Sequence, residues 1–105
     1  MLNLVLRKTN VLRITLEDAK DVATFRLEGK LTGPWVSEFE RSWHDFKGRT
    51  PSTPVTVDLC NVSFVDSAGK KLLRRMFDEG AHLRAHLMTK FIVDEVTGQR
   101  NGNGG

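Results

Sequence analysis

Hydrophobic and polar residues alternate along this chain with two distinct periods. Leu12, Ile14 and Leu16 alternate with Arg13 and Thr15, the two-residue period of a strand that buries one face. A polar turn covers residues 17–21. Beyond it Ala23, Phe25 and Leu27 alternate with Thr24, Arg26 and Glu28, so the two runs read as an antiparallel pair. Gly33-Pro34 then interrupts the pattern. Proline suits a first helical position, because the N–H it lacks would have no partner there. From this point the period lengthens. Trp35, Val36, Phe39, Trp43 and Phe46 fall on one helical face, while Glu38, Arg41, His44 and Asp45 point elsewhere. Aromatic residues at that spacing are expected in the core, not in a cofactor box.

Residues 54–60 read as a strand followed by Val62, Phe64 and Val65, and the density of apolar residues implies a central position in a sheet. Residues 67–79 read as a second helix ending at Gly80. Residues 81–85 form a short strand, and residues 88–96 a last helix closed by Gly98, with Phe91, Ile92 and Val96 on its inner side. The expected fold is therefore α/β: a single domain over residues 10–97, with a mixed central sheet of about four strands and about three helices packed against it. Residues 1–9 read either as a leader or as an extra edge strand, a fifth. Residues 98–105 have nothing to bury and are expected to be a flexible tail.

Composition narrows the class. At 105 residues there is room for one core and no more. No run approaches the roughly 18–20 apolar residues of a membrane helix. The first residues carry neither a basic lead-in nor a cleavage site, so they do not read as a secretory signal. The single cysteine, Cys60, cannot form an internal disulfide, and a reducing cytoplasm is the simple inference. A net charge of +3 permits acidic partners without selecting one.

The informative stretch runs from Asp58 to Leu73. A buried strand delivers Asp66 and Ser67 to a helix start, where unpaired N–H groups and the positive end of the dipole favour a side-chain oxygen and an anion still more. Gly69 leaves the first turn open to close approach. The plain role of Asp66 or Ser67 is an N-cap, worth about 1 kcal/mol. On the helical wheel Ala68, Leu72, Leu73, Met76 and Phe77 make the buried arc; Ser67, Lys70, Lys71, Arg74, Arg75 and Asp78 make the outer one. Lys70 and Lys71 follow Ser67 by three and four residues, within side-chain reach. A phosphate on Ser67 would add about −1.5 to −2 charge to this basic surface and reverse its sign.

The run Asp58-Leu59 through Val65-Asp66-Ser67-Ala68-Gly69, with Leu27-Glu28-Gly29-Lys30-Leu31 ahead of the first helix, resembles the signature of STAS domains, named for sulfate transporters and anti-sigma factor antagonists. The resemblance implies a regulatory protein-binding module of a bacterial partner-switching pathway, not an enzyme. It implies phosphorylation of Ser67 by an anti-sigma factor that is also a serine kinase, and reversal by a phosphatase. It places Asp66, Ser67, Ala68, Gly69, Lys70, Lys71, Arg74 and Thr32 at the partner surface. Lys70 stands where the family commonly has an apolar residue, and Thr32 where it commonly has an acid.

Other chemistry is less well supported. A nucleophilic serine at a strand-to-helix elbow normally has glycine two residues ahead, and here that residue is Val65. His82 and His86 lack a companion carboxylate or thiolate, so neither a metal nor another cofactor is expected. Cys60 reads as a buried, inert thiol. Lys70, Lys71, Arg74 and Arg75 could meet nucleic-acid phosphates, but no aromatic residue interleaves with them to stack bases. A constitutive STAS-type scaffold or accessory subunit, with no phosphorylation, is the main alternative.

Overall fold

Strand alternation and helical periodicity sort the apolar side chains onto one side of a single sheet. The computed structural model describes residues 2–19, 21–86 and 90–98. In chain order the elements are β1 (Leu2–Lys8), β2 (Leu12–Asp18), β3 (Ala23–Leu31), α1 (Pro34–Arg49), β4 (Val55–Val65), α2 (Ser67–Asp78), β5 (His82–Arg84) and α3 (Lys90–Thr97). The sheet has five strands in the order β1-β2-β3-β4-β5. The first three are antiparallel neighbours, whereas β3–β4 and β4–β5 run parallel. Parallel neighbours need a crossover, and α1 and α2 supply the two crossovers. Residues 2–8 are thus a fifth, edge strand, irregular between Val5 and Arg7.

Leu12, Ile14, Leu16, Phe25, Leu27, Val57 and Leu59 are buried on the helix side of the sheet. Val36, Phe39, Trp43 and Phe46 of α1 descend onto them. Phe25 is met edge-on by Phe39 at 5.6 Å and by Phe46 at 5.8 Å, the arrangement that sets a ring's positive edge against a negative face. The other face is polar. Thr15, Arg26, Asp58 and Arg84 lie in one register row across four strands, and Glu17 pairs with Arg26.

β4 is longer than the sequence suggests, continuing past Cys60 to Val65 through two irregularities in its pairing with β3. One of these adjoins Gly29, whose φ of 110° favours glycine and where a Cβ would lie 2.2 Å from the Val11 carbonyl oxygen. The short strand expected at 81–85 is β5, over His82–Arg84. One expectation fails: Phe91 is 77% exposed, so the inner side of α3 is Val96 with half-buried Ile92 and Val93. In so short a helix the inward arc is narrow, and Phe91 falls outside it. Residues 87–89 and 99–105, where part of the last helix and the tail were expected, lie outside the described residues.

Because Phe25 is fully buried between sheet and α1, Phe25→Ala is expected to cost about 3–5 kcal/mol, read from the shift in a urea unfolding curve.

Candidate functional site

The candidate site forms where β3 and β4, running parallel, end side by side. Leu31 pairs with Val65 there, and the next residue, Asp66, donates its N–H to the Leu31 carbonyl at 3.1 Å. Asp66 has extended backbone angles and caps α2: Oδ1 accepts the Gly69 N–H at 2.8 Å. Its second oxygen, Oδ2, accepts the Gly33 N–H at 2.9 Å, across thirty-three residues of chain. One carboxylate thereby ties the start of α2 to the turn that opens α1. These N–H donors stabilise the charged form and hold the Asp66 carboxyl below its ordinary value of 3.8. Gly33 contributes most and then Gly69, against a smaller opposing effect of burial.

Gly69 is buried. A Cβ there would stand 2.7 Å from Val65 Cγ1 and 2.8 Å from the Leu31 carbonyl oxygen, so the first turn of α2 lies directly on the strand ends. The close approach that glycine allows is made by the protein's own backbone. Gly69 thus lies beneath the surface that Ser67 and Ala68 expose. Ala68, placed on the buried arc by the helical wheel, is exposed, because the first turn projects beyond the sheet and Gly69 takes the inward position. Ser67, the first residue of α2, is exposed as well. Thr32 is half-buried in the turn beside Gly33, and its carbonyl accepts the Trp35 N–H at 3.1 Å.

The cations of α2 are mostly engaged. Lys70 Nζ lies 3.1 Å from Glu95 of α3, Arg74 Nε 3.1 Å from Asp78, and Arg75 Nη1 2.9 Å from Glu40 of α1. Only Lys71 of the four has no ion pair among the described residues. Ser67, Lys70, Lys71, Glu95 and Val96 line an open groove of about 680 Å³ between α2 and α3. On the helical wheel these cations form an outer arc with Asp78 as its one acid. Asp78, one turn beyond Arg74, is a local counter-charge; those of Lys70 and Arg75 are Glu95 and Glu40, whose proximity only tertiary packing creates.

Sequence reasoning also passed over Phe64. It is 53% exposed and pairs with Lys30 at the same end of the sheet. The signal was available: Phe64 and Val65 are adjacent in a strand, so only one can face the core. Elsewhere, the Cys60 thiol is pushed above its ordinary value by burial first and then by its hydrogen bond to Asp58. The described residues contain no group of three or more metal-binding side chains, and no helix among them is long and apolar enough to cross a membrane.

No protein-family model matches the chain, and no curated protein matches it. Solved structures do. An anti-sigma factor antagonist from Mycobacterium paratuberculosis superposes with a TM-score of 0.71 at 19% identity, covering 89% of this chain and 83% of that one. The structure of Mglu matches with a TM-score of 0.53 at 21% identity, over 68% of this chain but only 18% of the larger one. The chain therefore shares the fold of that anti-sigma factor antagonist structure, the α/β fold that the sequence resemblance implied.

The two bonds to Asp66 set the sign of a pH effect. Its folded-state pKa is depressed, so its stabilisation is complete above the unfolded value and is lost as pH falls through the folded one. Asp66→Ala is expected to lower the melting temperature at neutral pH by roughly 4–8 °C. The gap from wild type should close in melts taken well below pH 3.8.

Proposed function

We propose that this protein is a non-enzymatic, cytoplasmic regulatory module that binds a protein partner through the surface around Ser67, and that phosphorylation of Ser67 switches the binding. The observation that carries the reading is the exposed Ser67 hydroxyl at the first position of α2, on a turn fixed by Asp66 and Gly69. A fixed, exposed hydroxyl at a helix start can be reached by a kinase, and once modified it stands at the positive end of the helix dipole. In the reaction, Ser67 Oγ bonds to the terminal phosphorus of a nucleoside triphosphate held by the partner. The diphosphate leaves and the hydroxyl proton passes to a base of that partner.

Structural likeness to an anti-sigma factor antagonist supports a partner of the anti-sigma type. The sequence resemblance adds that this partner is itself a serine kinase, opposed by a phosphatase that restores the hydroxyl. The partner surface comprises Asp66, Ser67, Ala68, Lys70, Lys71 and Arg74 on α2, with Thr32 beside them. The unmodified surface binds, and the phosphorylated one repels. A bacterial partner-switching pathway for control of transcription is the setting this implies.

A constitutive scaffold is the second reading, and one observation favours it: Lys70 is already engaged by Glu95, which leaves Lys71 as the cation most available to a phosphate. Nucleic-acid binding is weaker than either, since three of the four cations it would use are paired.

Protein isolated from its native host is expected to carry one phosphate, seen by mass spectrometry and lost in Ser67→Ala. In a pull-down, Ser67→Asp should lose a partner that wild type and Ser67→Ala retain. If all three hold that partner equally, the scaffold reading replaces the switch.

A further inference from the structure

α3 is a short helix with a slender hold on the rest of the fold. Eight residues are too few to be stable as an isolated helix, so its persistence depends on what it packs against. Only Val96 is fully buried, Ile92 and Val93 are half-covered, and Phe91 points outward. Two cations of α2 supplement these contacts. Arg74 Nη1 donates to the Val96 carbonyl at 3.1 Å, at the end of α3 where carbonyls lack helical partners and the dipole is negative. Lys70 Nζ reaches both Glu95 oxygens, at 3.1 and 3.3 Å.

Lys70 is also the residue one helical turn beyond Ser67, and Ser67 and Glu95 line the same groove. A phosphate on Ser67 would draw on Lys71, which is unpaired among the described residues, and would share the Lys70 ammonium with the Glu95 carboxylate. The phosphate carries the greater charge, and like charges in one groove repel.

We propose that the Lys70–Glu95 pair is a phosphate-sensitive latch, so that phosphorylation of Ser67 draws Lys70 away from Glu95 and loosens α3 from α2. This rests on the phosphorylation reading above and extends it. The modification then changes more than the charge beside Ser67. It also loosens the helix that presents Phe91, an apolar side chain at 77% exposure of the kind that anchors protein interfaces. Partner choice would follow from the position of α3 as well as from the phosphate itself.

The test is hydrogen–deuterium exchange of the α3 amides in the full chain, with and without phosphoserine installed at position 67 during synthesis. The phosphate is expected to speed exchange across residues 94–97, whose N–H groups are bonded within the helix, by roughly two- to fivefold, the scale of one partly exposed ion pair. Glu95→Gln should produce a similar acceleration unaided, and phosphoserine added to that variant should change nothing further. Equal exchange with and without phosphate in the wild-type background would overturn the latch. So would an equal effect of phosphate in Glu95→Gln. Neither kinase nor partner enters this measurement, so its failure leaves the switch standing, whereas unphosphorylated protein from the host would sink the switch and leave the latch measurable.

Discussion

The candidate site depends on one carboxylate satisfying two distant backbone donors. Asp66 closes the first turn of α2 through Gly69 and holds the turn before α1 through Gly33. Each N–H belongs to a chain reversal at the end of a parallel strand, where backbone donors otherwise have no partner. Gly69 completes the constraint from below by letting α2 rest on Leu31 and Val65. With the carboxylate above and the strand ends beneath, the adjoining Ser67 has a defined place on the surface. The acid of the Asp-Ser pair is bound to the backbone on both sides, and the serine next to it is exposed.

Charge on α2 is organised by the same packing. A helical wheel shows four cations on the outer arc, and the surface it suggests is strongly positive. In the fold, α1 and α3 each bring a glutamate to that arc, and Asp78 takes Arg74. What remains is a nearly balanced surface that a single added phosphate can redirect.

Legibility followed the range of the interactions involved. The strands β2, β3 and β4 and the helix α1 were readable because alternation and helical spacing are local, and Leu12, Phe25, Phe39 and Trp43 all lie in the core. The Asp66 cap was readable for the same reason: Gly69 is three residues away. Its bond to Gly33 was not, since nothing local joins residues so distant in the chain. Ala68 and Phe91 were misplaced because a helical wheel extends the periodic face into terminal turns that overhang the body they pack on. Phe64 was missed where two adjacent apolar residues in a strand were taken together. The edge strand β1 offered Leu4, Val5 and Leu6 in succession, a pattern with no period, and its 37–50% exposures show that no single face of it is buried.

The polar side of the sheet has a consequence for how the chain finds its alignment. A slip of one residue between β2 and β3 would turn Arg26 into the core and Phe25 out of it. A slip of two keeps inside and outside correct, so hydrophobicity alone cannot reject it. In the native pairing Arg13 stands opposite Glu28. Shifted two residues one way, it would confront Arg26; shifted the other way, Lys30. The second slip also brings Glu17 opposite Arg26, which offsets that repulsion, but the first sets cation against cation with nothing in return, so the charges facing away from the core reject a slip that the core itself is unable to reject.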